Sequence, residues 1–391
     1  MSASGHRLAK VRGEEARVTP LELFFDLVFV LALTQVTALM SHQPTWAGVA
    51  KGLLVMALMW WSWVGYAWLT SVVDPEEGAV RFAMLGAMGG LIVVALCVPE
   101  SFDDRALLFA VAYLLVRLLQ IVLLLLSDPD DANLRRATLT GLLPSTLLAG
   151  ALIIGGTFLS TEGQAALWAL AIVIDFGGPF LFGQDGWKIV PGHFAERHGL
   201  ILIIALGESI VAIGVGAEGL EIGAGEVLAA VGGVAIAGAL WWLYFDVVAL
   251  VAERRLSHAA PGSEQNGIAR DSYSYLHLPM VVGIVLAALG LKKTLAHVED
   301  PLKLVPAVAL MGGLALYLLA HVAFRWRNVH RFSSQRVITA VALLALIPVV
   351  TEIEALVSVG IAVVVLWALI AYETWRFAEL RDRLRHQVAE H

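Results

Sequence analysis

The chain consists largely of apolar blocks of about 18 to 25 residues, separated by short polar connections. A helix that rises 1.5 Å per residue needs about 20 residues to cross a hydrocarbon core of about 30 Å. Only 15% of the 391 residues are charged, against about 25% in a soluble globular protein. Because a segment inside a bilayer must satisfy its own backbone hydrogen bonds, these blocks predict membrane-spanning helices.

We therefore predict an all-α polytopic membrane protein with about twelve transmembrane helices. The N-terminal stretch lacks an apolar core followed by a small-residue cleavage site, so the first helix itself is expected to direct insertion. The predicted spans are 20–40, 47–70, 80–98, 105–126, 137–159, 164–182, 194–216, 226–250, 272–293, 303–325, 334–350 and 354–377.

The distribution of positive charge predicts the orientation. Twenty Lys and Arg residues lie in or beside the tails and the even-to-odd connections, whereas five lie in or beside the other connections. Because cytoplasmic loops carry the excess of positive residues, both termini are expected in the cytoplasm. The ends of the chain are a basic N-terminal tail at 1–19 and an amphipathic C-terminal tail at 378–391.

Short motifs recur six helices apart. The matching pairs are WWSWVGY from Trp60 with WWLYFDV from Trp241, YLLVRL from Tyr113 with YLLAHV from Tyr317, and Glu22 with Glu196. Six crossings restore the chain direction, so this spacing predicts two parallel six-helix repeats, at 20–182 and 183–377, related by an axis along the membrane normal. Chance recurrence of Trp pairs and Leu runs is the alternative.

Ionisable side chains lie within or at the ends of the predicted helices. Each is costly at membrane depth and therefore needs a partner or a water-filled cavity. The ten candidates are Glu22, Asp26, Arg117, Asp175, Glu196, Arg197, His198, Glu208, Asp246 and His277. Most are predicted in the cytoplasmic half of the membrane, whereas Glu208 lies about 21 Å along the seventh helix.

Two interpretations compete for these groups. In the first, buried ion pairs such as Arg197 with Asp26, or Arg117 with Asp175, fix the helix packing. In the second, the groups line a cavity that delivers a cation or proton to Glu208. Acids outnumber the buried arginines, which favours a cationic passenger or a carboxyl that its apolar setting keeps protonated.

Other kinds of site have little support. The single cysteine, Cys97, excludes an intramolecular disulfide, and His193 and His198 are five apart rather than the three or four of a helical zinc pair. We find no phosphate-binding glycine loop and no lipase-like serine motif. The sequence therefore predicts no metal, no cofactor and no nucleic-acid partner. The lipid bilayer is the expected partner, and a homodimer is a further expectation by analogy.

Two long motifs are familiar. The segments PLELFFDLVFVLALTQ at 20–35 and HFAERHGLILIIALGESIVAIG at 193–214, with the Trp-Trp pairs, closely resemble the bacterial low-temperature-requirement protein A family over essentially the whole chain. Its members are multi-helix bacterial membrane proteins named for a growth phenotype, so the resemblance implies an inner-membrane location and no particular activity. The signature positions matched are Glu22, Phe25, Asp26, Glu196, Arg197, His198, Gly207 and Glu208.

A more distant likeness concerns the first helix. Phe24-Phe25-Asp26 looks like the Phe-Ser-Asp motif of the two-repeat potassium and proton channels of lysosomes and bacteria. Pro20 stands where that motif has Arg, and the second predicted repeat has no aligned Asp. These departures argue against a shared pore.

The leading hypothesis is a transporter or channel for a small cation or proton, and not an enzyme, with Asp26 and Glu208 as the main polar stations. One alternative is a membrane-embedded enzyme acting on a lipid or isoprenoid, with Glu208, His277 or His321 in acid–base roles. It requires several polar groups that converge at one depth beside an opening to the bilayer. A large lateral pocket lined by His277 and Asp246 would favour it. A third hypothesis is a sensor or scaffold that responds to the physical state of the membrane.

Overall fold

The structure, a computed structural model, describes residues 17–181, 183, 186–217, 219 and 222–379. Within these residues the chain is helical and has no β-strand. The helices, numbered in chain order, are α1 Pro20–His42, α2 Trp46–Val72, α3 Gly78–Glu100, α4 Ala106–Ser127, α5 Ala132–Gly156, α6 Thr161–Leu181, α7 Pro191–Gly216, α8 Ala224–Ser257, α9 Ser263–Ala296, α10 Leu304–Val329, α11 Ser334–Val350 and α12 Ala355–Arg376. The predicted all-α class is confirmed, while most of both predicted tails lies outside the described residues.

The helix count differs slightly from the prediction. Eleven helices of the described chain are long and apolar enough to cross a bilayer, whereas α11 falls short. Its helical segments, Ser334–Ala345 and Ile347–Val350, are interrupted at Leu346. Pro348 stands in the first turn of the second segment, where its missing N–H is tolerated.

Polar turns extend some helices beyond the predicted spans. The eighth helix, predicted at 226–250, continues after a turn at Asp246 as far as Ser257, and the ninth, predicted from 272, begins at Ser263. Hydropathy marks only the apolar crossing, and polar residues at the ends stay helical. Gly262, with φ of 96°, makes the sharp turn before α9.

Apolar side chains lie on the outside of the protein. Phe82, Val173 and Leu181 are 75%, 67% and 78% exposed in the middle or at the ends of apolar helices. Such surfaces are unfavourable in water and favourable against lipid tails. The chain is therefore a multi-pass membrane protein. Its orientation and the two six-helix repeats stay predictions.

The chain divides into two compact units, which we describe separately. The first unit comprises Met1–Leu39, Val49–Arg197 and Leu256–Arg270, and the second comprises Met40–Gly48, His198–Arg255 and Asp271–His391.

In the first unit, polar side chains donate hydrogen bonds to backbone carbonyl oxygens of neighbouring helices. The Tyr66 hydroxyl of α2 donates to Val116 O of α4 at 2.9 Å. The Trp168 indole of α6 donates to Ile153 O of α5 at 3.0 Å. Each bond satisfies a buried polar group and fixes one helix against the next.

In the second unit, small residues bring α9 and α10 into close contact. A Cβ atom on Gly283 would lie 2.6 Å from Gly313 O, and one on Gly313 would lie 2.7 Å from Gly283 O. Backbones approach this closely only where neither helix carries a side chain. The Tyr317 hydroxyl of α10 also donates to Leu240 O of α8 at 2.8 Å.

We predict that Gly313→Val destabilises the protein, because the added side chain forces α9 and α10 apart. The expected loss is about 1–3 kcal/mol, typical of overpacking, seen as a lower melting temperature in detergent. Gly360→Ala is the matched control, since nothing lies within 4 Å of its Cβ position. Equal melting of both variants would contradict the close packing.

Asp131 caps the start of α5 outside the membrane spans. Its carboxylate accepts hydrogen bonds from the amides of Asn133 and Leu134, each at 3.0 Å, and from the Lys188 ammonium. The Lys188 hydrogen bond, aided by the two amides, lowers the pKa of Asp131 below its ordinary value of 3.8. A lowered carboxyl pKa stabilises the fold above the unfolded value, and this stabilisation disappears as the pH falls through the folded value.

Asp131→Ala is therefore expected to lower the stability by about 0.5–2 kcal/mol at neutral pH, the usual cost of losing a cap. The difference from wild type should shrink when melting is repeated below about pH 4. Asp130→Ala is the control and should melt like wild type. A deficit that persists unchanged at low pH argues against a charged cap.

Candidate functional site

The first unit contains a buried polar cluster built by three helices. This Arg197 cluster consists of Glu22, Asp26, Trp63, Thr70, His193 and Arg197. On α1 and on α7 the members are four residues apart, and on α2 they are seven apart, so each helix presents its pair on one face. The cluster therefore follows directly from helical spacing.

The Arg197 guanidinium holds both carboxylates of the cluster. Its Nη2 donates to Asp26 Oδ1 at 2.5 Å, and its Nη1 lies 3.3 Å from Glu22 Oε1 and 2.8 Å from Thr70 Oγ1. The Trp63 indole donates to Asp26 Oδ1 at 2.8 Å. The guanidinium also lies over the Trp63 ring, 5.5 Å from its centroid, a favourable cation–π position.

Glu22 is the most heavily bonded member. His193 Nε2 lies 2.9 and 3.1 Å from its two carboxylate oxygens. Because an ionised carboxylate only accepts hydrogen bonds, this nitrogen carries a hydrogen. The amide and hydroxyl of Thr19, just before α1, also donate to Glu22 Oε2. Glu22 thus connects the cluster to the end of α1.

The charges of the Arg197 cluster do not balance. Among the six residues of the cluster, Glu22 and Asp26 carry two negative charges and Arg197 carries one positive charge, and these three side chains are 0% exposed. Uncompensated buried charge costs several kcal/mol. The cluster is neutral only with one additional proton, on His193 or on a carboxyl. Asp26 Oδ2 is buried and accepts no hydrogen bond from the residues that the structure describes.

A second buried cluster of the first unit has equal numbers of positive and negative charges. In this Arg117 cluster, the guanidinium of α4 lies 3.2 Å from Asp175 of α6, and Thr146 and Ser145 of α5 complete the contacts. The Arg117 Nη1 donates to Gln120 at 2.7 Å. One cation faces one carboxylate, which is the arrangement of a structural ion pair.

A glycine makes room for this pair. A Cβ atom on Gly65 of α2 would lie 2.3 Å from Gln120 Oε1 and 2.6 Å from Arg117 Nη1. The predicted pairings of Arg197 with Asp26 and of Arg117 with Asp175 are both confirmed.

In the second unit, His198 and His277 belong to an aromatic cluster with Tyr244 and Tyr273. His277 Nδ1 lies 3.0 Å from Ser272 O, so it carries the hydrogen, and Nε2 accepts from the Tyr244 hydroxyl at 2.8 Å. The His198 ring lies 5.2 Å from the His277 ring. Both ring nitrogens of His277 are thus hydrogen-bonded within the cluster.

A further buried ion pair was missed by the sequence analysis. Arg336 of α11 makes a bidentate contact with Glu373 of α12, at 2.9 and 2.8 Å, and donates to His321 Nδ1 of α10 at 2.7 Å. Both charged residues lie near helix ends, where hydropathy does not distinguish an inward from an outward side chain. The available signal is that each charged residue lies in line with the apolar buried face of its helix. Arg336 precedes Ala340 and Leu343 on α11, and Glu373 follows Leu369 and Ile370 on α12.

The remaining candidates lie apart from these clusters. Glu196 is exposed and accepts a hydrogen bond from the Val18 amide at 3.0 Å. Asp246 is half-buried in the second unit and lines a cavity of about 350 Å³. His277 does not line this cavity, so the pocket expected for a lipid enzyme is present only in part. Glu208 is buried in the second unit, 1% exposed.

Comparisons with known proteins give one matching family and one relative of similar length. The sequence pattern of the bacterial low temperature requirement A protein matches residues 17–371. The chain is also 30% identical over 392 residues to the uncharacterized protein RA0937 of Rhizobium meliloti (strain 1021). This alignment covers 95% of this chain and 93% of the relative. Both matches cover the Arg197 and Arg117 clusters.

The Arg117 cluster is predicted to act as a unit. Arg117→Met alone, or Asp175→Leu alone, leaves one uncompensated buried charge and should cost about 3–5 kcal/mol. The double variant removes both charges and should recover most of that loss. Thermal melting of the four proteins in detergent gives the coupling, and additive losses would contradict a direct ion pair.

Proposed function

The chain belongs to the bacterial low temperature requirement A family, and we propose that it transports protons, alone or in exchange for a small cation. The proposed site of action is the bacterial inner membrane, with both termini in the cytoplasm. The observation that carries this proposal is the charge imbalance of the Arg197 cluster, in which two buried carboxylates share one guanidinium.

A cluster of this composition holds one exchangeable proton. The cluster is neutral when the proton is bound. When the proton is released, the cluster has one net negative charge beside Arg197. The proton has several acceptors within one hydrogen-bonded group, namely His193, Glu22 and Asp26 Oδ2. Intramembrane acids and histidines in such groups are the usual relays of proton pumps and transporters.

The position of the cluster supports loading from one face of the membrane. Glu22 lies in the first turn of α1 and His193 in the first turn of α7. Thr19, which donates twice to Glu22, is part of the half-buried segment that precedes α1. In the predicted orientation this face is the cytoplasmic one.

The same contacts favour a proton over a metal cation. Asp26 and Glu22 are bound by Arg197, and Asp175 is bound by Arg117. Of the six carboxylate oxygens, Asp26 Oδ2 is the one that accepts no hydrogen bond from the described residues. A potassium or sodium ion replaces its hydration shell with several oxygen ligands, so it would have to displace other donors as well. A proton needs only a lone pair, and it enters a hydrogen-bonded group without breaking the ion pairs.

Glu208 is the proposed second station. It is a buried acid on α7, the helix that also carries His193 and Arg197. The lipid-enzyme alternative has weaker support, because His277 does not line the cavity beside Asp246.

Proton flux into liposomes tests the proposal. Purified protein is reconstituted around a pH-sensitive dye, and a pH gradient is imposed with the membrane potential clamped. Wild type should dissipate the gradient faster than protein-free liposomes, and Asp26→Asn, Glu22→Gln and Glu208→Gln should each lower the rate by about tenfold or more, in the range of lost general acid–base groups.

The matched control neutralises a buried acid outside the proposed path. Arg117→Gln with Asp175→Asn removes one acid and one base, and it should retain wild-type flux if it melts like wild type. Wild-type flux no faster than that of empty liposomes, or equal flux in all folded variants, would falsify the proposal and favour a sensor or scaffold.

A further inference from the structure

The second unit contains a cavity that the proton path does not use. Its volume is about 350 Å³, within the range of ligand-binding pockets, about 300–1,000 Å³. Its walls come from the turn at Asp246 in α8, the last turns of α10 and α12, and the start of α11. These segments meet at one end of the helices, where the membrane interface is expected.

The polar wall of the cavity has an excess of positive charge. Arg325, Arg331 and Arg336 face two acids, Asp246 and Glu373. Arg336 and Glu373 neutralise each other in a bidentate pair. Arg325 and Arg331 form no ion pair with any residue that the structure describes. Two guanidinium groups are thus available to an anion, with one acid beside them.

A buried acceptor also borders the cavity. Asn328 is 3% exposed, and its side-chain amide donates to Phe324 O at 2.8 Å. Its Oδ1 is buried and accepts no hydrogen bond from the described residues. A buried oxygen of this kind calls for a donor, such as a ligand hydroxyl. It is a second, independent indication that the cavity takes a polar ligand.

The cavity also has an apolar lining. Val248, Val251, Phe324 and Ile370 line it, and the half-exposed Phe377 stands at its edge. Trp326 and Trp375, near the same helix ends, are 53% and 77% exposed, as expected of aromatic residues at a membrane interface. A ligand that fits both walls has an anionic head and an apolar tail.

We propose that this cavity binds the headgroup of an anionic phospholipid, with phosphatidylglycerol as the fitting chemistry. The phosphodiester contacts Arg325 and Arg331, whose planar guanidinium groups suit phosphate oxygens. The glycerol hydroxyls donate to Asn328 Oδ1 and to Asp246. The three arginines and two acids leave one net positive charge, which the single negative charge of this lipid neutralises. Basic pockets between transmembrane helices are known to hold anionic headgroups.

Lipid titration of the purified full chain tests this inference. Native mass spectrometry in detergent follows the binding of phosphatidylglycerol, phosphatidylethanolamine and free glycerol phosphate. Phosphatidylglycerol should bind about tenfold or more tightly than phosphatidylethanolamine, a difference of about 1.4 kcal/mol. Arg325→Gln with Arg331→Gln should remove that preference. Arg331→Glu, at an exposed position, is a second variant that the fold tolerates and should have the same effect.

Arg327→Gln is the matched control. Arg327 lies two residues from Arg325 on α10, but its partner is Asp271 at 2.9 Å and it does not line the cavity. This variant should bind like wild type within about twofold. Equal binding of the two lipids, or an unchanged preference in both pocket variants, overturns the site. Glycerol phosphate that binds as tightly as the lipid overturns the lipid as its source.

Discussion

Charge that is buried in an apolar helix bundle must be neutralised, and this requirement decides where the helices of this protein meet. Arg197 of α7 brings together Glu22 and Asp26 of α1, with Trp63 and Thr70 of α2 completing its donors and ring contact. Removing the guanidinium would leave two carboxylates facing each other. One side chain thus contacts both acids of α1 and a hydroxyl of α2, and its single positive charge offsets one of the two negative charges.

Two other buried ion pairs also join helices, and in each of them one arginine faces one carboxylate. Arg117 with Asp175 joins α4 to α6, and Arg336 with Glu373 joins α11 to α12. His321, which accepts from Arg336, occupies the position in YLLAHV that Arg117 occupies in YLLVRL. The predicted repeat matches these two positions, but the guanidinium comes from a different helix in each unit, α4 in the first and α11 in the second. Each of these pairs joins one cation to one carboxylate, so the unequal charges of the Arg197 cluster distinguish it chemically.

The sequence predicts the all-α membrane class and two of the buried ion pairs, because apolar block length and rare intramembrane charges are strong signals. Apolar blocks of crossing length fix the helices, and two arginines inside them have few acids within reach, so the pairs of Arg197 and Arg117 are predictable. Glu196 is misleading despite its motif position, since adjacent helix residues are rotated by about 100° and Arg197 takes the inward face. The pair of Arg336 and Glu373 is not predicted, because a charged side chain near a helix end can face either the protein interior or the solvent.

Infrared difference spectroscopy tests directly whether the Arg197 cluster holds the proposed proton. Spectra of the purified protein at about pH 3 and about pH 9, on either side of the ordinary carboxyl and imidazole pKa values, report protonation changes. The account predicts a carboxyl or imidazole difference band that disappears in Asp26→Asn and Glu22→Gln and persists in the Arg117→Gln, Asp175→Asn variant. A spectrum that none of these substitutions changes would contradict it.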